Sequence, residues 1–82
     1  MRPLVVWFIK DHVPKGTVIR TQGIYKAIYN HFPKECQVMG FTSSGPIEPK
    51  WKNDIRWGLR DAQDQGLIKH VGTPKSGEWL RL

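Results

Sequence analysis

The chain has 82 residues, a single cysteine and a formal charge of +6, with 13 Lys and Arg against 7 Asp and Glu. A chain of this length forms one domain, burying roughly 60 to 65% of its unfolded surface, and leaves no room for a second. The longest apolar run, Leu4 to Ile9, has six residues, far short of the roughly 20 of a membrane span and short for a signal-peptide core.

In chain order, "PLVVWFIKDHV" starts behind Pro3, a residue suited to a first helical turn, and its apolar run ends at Lys10-Asp11 ahead of Pro14. A buried first helix is expected, although Val5-Val6 keeps a strand in view. "KGTVIR" follows Gly16 and suits one short edge strand. Thr21 offers an N-cap hydroxyl to a second helix, "QGIYKAIYNHF", whose Ile24, Ala27, Ile28, His31 and Phe32 share helical spacing up to Pro33. Residues 33 to 49 hold three prolines, two glycines and Ser43-Ser44, and read as a connecting loop. From Pro49 the pattern is helical again, with Pro at the start and Gly66 at the end of a helix over about 50 to 65. Leu67 to Val71 and Glu78 to Leu82 then form two strands around the turn "GTPKSG".

Helix, strand, helix, loop, helix and hairpin, in that order, predict an α+β fold of the winged-helix type, with three helices and a small antiparallel wing. Such a fold can set a protruding helix in the major groove and a hairpin tip on neighbouring phosphates. The same fold also serves as a protein-docking module, so function has to be argued from residues. At 100° per residue, Trp51, Ile55, Gly58, Leu59, Ala62 and Gly66 make the inner face of the last helix, while Asn53, Arg56, Trp57, Arg60 and Asp64 cluster outside with Lys52 on the flank. Arginine bonds guanine bidentately and asparagine does the same to adenine, which makes Asn53, Arg56 and Arg60 candidates for base edges. Lys50 and Lys52 suit phosphates at the positive end of the helix dipole. The bland alternative for Arg56 and Arg60 is a solvated face paired locally with Asp61 and Asp64. Trp51 falls toward the core, Trp57 points outward, and Trp7 and Trp79 are expected in the core. At the wing tip, Lys75 and the Ser76 hydroxyl are candidates for a phosphate, with Lys69 and His70 behind them.

Residues 53 to 82, "NDIRWGLRDAQDQGLIKHVGTPKSGEWLRL", resemble the winged-helix domains appended to restriction endonucleases of the Mrr type and of the adenine-methylation-dependent type. Arg56-Trp57, Leu59, Gly66-Leu67-Ile68 and Gly77-Glu78-Trp79-Leu80 carry the likeness. The chain departs from that pattern in the longer loop from Pro33 to Pro49 and in Ala62, where a leucine is usual. The resemblance implies a double-stranded DNA reader that guides a nuclease domain in a longer chain, within a restriction-modification system, with 6-methyladenine as a candidate target. An adenine methyl projects into the major groove, and Pro49, Trp51 and Trp57 are the apolar candidates to cover it. Burying one methyl contributes about 0.8 kcal/mol, so two in a symmetric site give about 1.6 kcal/mol, or roughly fifteen-fold discrimination.

No catalytic, cofactor or metal site is expected. "EPK" at Glu48 to Lys50 has the acidic-x-lysine spacing of metal-dependent nucleases, but Pro49 disfavours an interior strand and no aspartate lies between Asp11 and Glu48 to complete a site. His12, His31, His70 and Cys36 lack zinc-ligand spacing. Cys36 has no partner for an internal disulfide, which suits an intracellular setting, cytoplasmic or nucleoid-associated, with no membrane partner. Two function classes therefore stand: a DNA reader, and a protein-docking module using Trp57 with Tyr25 and Tyr29.

Overall fold

The computed structural model describes residues 1–43, 45–73 and 76–82. It is a small α+β domain in which α1 (Arg2–His12), β1 (Val18–Arg20), α2 (Thr21–His31), α3 (Pro33–Val38), α4 (Lys50–Asp64), β2 (Ile68–His70) and β3 (Glu78–Arg81) follow in order. The three strands form an antiparallel sheet in the order β1-β3-β2, so the hairpin's second strand is central and β1 is an edge. Ile19 lies opposite Trp79 on one side of β3, and His70 lies opposite Trp79 on the other.

The count of three helices is corrected to four among the described residues, because the stretch read wholly as loop contains α3. Pro33 explains the extra element: it cannot continue α2, yet its fixed φ suits the first turn of a new helix. The remainder of the connection folds back on itself. Phe41 bridges to Pro49, and the first amide of α4, on Lys50, donates to the Gly40 carbonyl at 2.9 Å.

The inner face of α4 is buried at Ile55, Gly58, Leu59 and Ala62, whereas Trp51 is half-buried and Gly66, past the helix end, is exposed. It meets Val5, Phe8 and Ile9 from α1, Ile24 and Ile28 from α2, and Ile68 and Trp79 from the hairpin. Each large aliphatic side chain taken from water contributes roughly 1.5–3 kcal/mol, which makes this cluster the main support of α4. Gly58 permits the tight seat on α1, since a Cβ there would lie 2.7 Å from the Val5 side chain and 3.1 Å from the Arg2 carbonyl oxygen. At its far end α4 stops on Gly66, at φ 76°. The Gly66 amide then reaches the Gln63 carbonyl and the Leu67 amide the Ala62 carbonyl, both at 2.9 Å, which closes the helix and sends the chain into β2.

Three side chains sit differently from expectation. The Thr21 hydroxyl caps nothing: Arg20 is the N-cap residue of α2, and the hydroxyl instead donates to the Gly77 carbonyl while accepting from the Trp79 indole, both at 3.2 Å. A buried indole N–H needs an acceptor, and this need outweighs the local cap. Trp7 is 40% exposed rather than core, lying edge-on against His12 and Phe32 on the outer side of α1. His31 is exposed, and Tyr25 takes a place in the core instead.

Candidate nucleic-acid interface

The outer face of α4 gathers Asn53, Arg56, Trp57 and Arg60 around one shallow depression. Trp57, 46% exposed, stands between two guanidiniums, with that of Arg2 at 5.6 Å and that of Arg60 at 5.9 Å from its ring centroid. Arg2 reaches this surface from α1 because Asp61 anchors it through two hydrogen bonds of 2.8 and 2.7 Å. The Arg2 hydrogen bond in turn holds the Asp61 carboxyl below its ordinary range. Arg60 carries no resolved ion pair among the described residues, whereas Asp61 is spent on Arg2 and is not the partner of Arg56 or Arg60.

Arg56 is the most heavily engaged side chain of the group. It donates to both carboxylate oxygens of Glu48, to the Tyr25 hydroxyl at 3.1 Å and to the Asn53 side-chain oxygen at 3.3 Å. The hydrogen bond from Arg56 keeps the Glu48 carboxyl below its ordinary range, and the bonds to Glu48 and Tyr25 hold the guanidinium still more firmly protonated. The planar fork that would read a guanine is therefore already occupied by a planar carboxylate of matching shape.

Between this face and the hairpin runs an open groove of about 540 Å³, whose polar walls include Arg56, Arg60, Gln63 and Asp64 from α4 and His70 from β2. His70 is exposed and lies over Trp79, with ring centroids 3.7 Å apart. Lys69, its neighbour in β2, is exposed on the opposite face of the sheet. At the hairpin tip, the Ser76 hydroxyl donates to the Val71 carbonyl at 2.9 Å and accepts from the Glu78 amide at 3.3 Å. Its only proton is thus spent on the turn, which leaves a lone pair rather than a donor for a ligand. Lys75 lies outside the described residues.

Trp51 and Lys52 do not join the outer face. The ring of Trp51 meets Tyr25 and Tyr29 of α2, at centroid distances of 5.9 and 5.4 Å. The Lys52 ammonium lies 5.5 Å from the Tyr25 ring and 5.6 Å from that of Trp51. Six residues of helix separate Trp51 from Trp57, about 120° around the axis, so Pro49, Trp51 and Trp57 make no single methyl-covering surface. The docking patch of Trp57 with the two tyrosines is split in the same way, and Tyr25 is only 8% exposed. Lys50 is exposed at the start of the helix.

The sequence offered no sign of Arg2 or Glu48 at this site. Arg2 is 59 residues from Asp61, and Glu48 precedes Arg56 by eight residues across Pro49, beyond any helical spacing rule. Among the described residues no group of three or more His, Cys, Asp or Glu could hold a metal ion, and no helix is long and apolar enough to cross a membrane. No family model, curated protein or solved structure matches this chain.

Proposed function

We propose that the chain is a double-stranded DNA-binding domain of the winged-helix type, serving as the target-reading part of a restriction or nuclease system. In this reading α4 enters the major groove and the β2–β3 hairpin is the wing over the backbone. One observation carries it: a solvent-facing helix surface brings Arg2, Asn53, Arg56 and Arg60 around an exposed Trp57, directly beside a hairpin. The order of elements and the pairing of β1 with the hairpin's second strand are compatible with a wing. The charge of +6 supplies the long-range attraction to a polyanion.

Base reading belongs to Arg60 and, once released from Glu48, to Arg56 and Asn53. Backbone contact belongs to Lys50, Lys52 and the wing. Trp57 also supports adenine-methyl reading, because its exposed ring lies among the base-reading candidates. The test is an anisotropy titration, across a range of salt, of a random duplex and a GATC duplex carrying no, one or two adenine methyls. About five phosphate contacts give a log–log salt slope near 4 or 5. Arg60→Ala is expected to cost about 1–3 kcal/mol and to relax base preference. Tightening with each methyl assigns methyl reading, and equal affinity for the GATC duplexes removes it. Absence of salt-dependent binding to every duplex overturns the DNA reading and leaves protein docking.

A further inference from the structure

We infer that the cleft between α2 and the first turn of α4 receives a single unpaired nucleobase of the DNA bound at α4. The inference rests on the DNA reading above and deepens it, since it concerns a second surface on the same helix. The cleft has a volume of about 470 Å³, within the range of small-molecule sites. Tyr29 and Trp51 supply aromatic walls over the largely buried Tyr25 ring, and Lys26 and Lys52 supply positive charge. None of the side chains lining it is acidic, so an aromatic ligand with a negative charge is matched and an organic cation is not.

The two tyrosines are held in place before any ligand arrives. The Tyr29 hydroxyl accepts from the Gln37 amide at 3.0 Å, and the Tyr25 hydroxyl accepts from Arg56 at 3.1 Å. Gln22 and Asn30, both exposed at the same cleft, offer amide groups to the hydrogen-bonding edge of a base. Stacking on such rings tolerates any base, because every base has a π-face, while the lysines take the adjoining phosphate. Tyr25 also connects the two surfaces, through Arg56 on the outer face of α4. A base that leaves the duplex stack near the start of α4 therefore finds a fixed aromatic seat with its phosphate partner beside it.

The experiment compares three labelled duplexes with the intact chain: fully paired, carrying one bulged 2-aminopurine, and carrying an abasic bulge at the same place. The expected result is tighter binding of the base bulge than of either other duplex, by about five-fold to hundred-fold, with a change in 2-aminopurine fluorescence on stacking. Tyr29→Leu is expected to remove that preference and leave the affinity for paired duplex unchanged. Equal affinity for base and abasic bulges in the unmodified chain overturns the inference while leaving the DNA reading intact. Binding of no duplex overturns both. Tryptophan quenching by free deoxyadenosine monophosphate with the affinity of the bulged duplex would assign the cleft to a free nucleotide and overturn the DNA source.

Discussion

Arg56 arrives at any DNA already bonded, and that changes what a substitution beside it should do. A guanine O6 and N7 must displace the Glu48 carboxylate from the guanidinium fork, so Glu48 opposes binding both as a competitor and as a negative charge near phosphate. Glu48→Gln is expected to tighten duplex binding several-fold and to steepen the salt slope by about one, as one more cation becomes available to phosphate or base. The same titrations check it, and unchanged affinity and slope would dismiss any competition. Arg56 and Arg60 were legible as candidates because residues four apart share a helical face. Glu48 was not, because its approach depends on the fold of the loop before α4. The hydroxyl of Thr21 teaches the same lesson: a local capping rule favoured the helix start, while an indole 58 residues away supplied the stronger need.

The elements read best from sequence were those bounded by residues with one permissible role. Pro49 and Gly66 delimit α4 because a proline fits before a helix and a glycine accommodates the positive φ after it. The short α3 was hidden, since its six residues make too few turns for periodicity to stand out among nearby breakers. Gly58 was legible as an inner-face residue, but its reason is tertiary, the close approach of α1. Gly58→Ala puts a methyl into the Val5 side chain, and because the Arg2 carbonyl lies behind it, relief requires moving α1 away from α4. We expect a loss of about 1–3 kcal/mol in urea unfolding, despite the better helix propensity of alanine. A neutral or stabilising result would mean that α1 shifts freely. That movement would also carry Arg2 away from Trp57, so the variant should weaken DNA binding even where it remains folded.

Across the whole molecule, two carboxylates tie distant segments: Asp61 holds α1 to α4, and Glu48 holds the loop to α4. Both have folded-state pKa values below their ordinary ones, chiefly through hydrogen bonds from Arg2 and Arg56. Their contribution is complete above the ordinary carboxylate range, where both states are ionised, and is lost as pH falls through the folded values. Thermal midpoints should therefore begin to drop as pH enters the ordinary carboxylate range and go on dropping below it, and Asp61→Asn should lose less on acidification than the unmodified chain. An identical loss in both would exclude Asp61 as a contributor. The order of elements and the inner face of α4 were readable in the sequence, yet the composition of the candidate surface depended on such long-range ties, which no local pattern encodes.

Arg81 draws a temporal consequence from the same architecture. Its side chain, 8% exposed, donates to the carbonyls of Ile9, Leu67 and Leu82, and its backbone amide donates to Thr17. The end of α1 and the approach to β1 thus find these partners only in residue 81, and β1 finds its sheet neighbour only in β3. During synthesis Ile9 must wait for 72 further residues before its bond to Arg81 can form. On a ribosome the three-stranded sheet and the Arg81 bonds can close only after residue 81 has emerged.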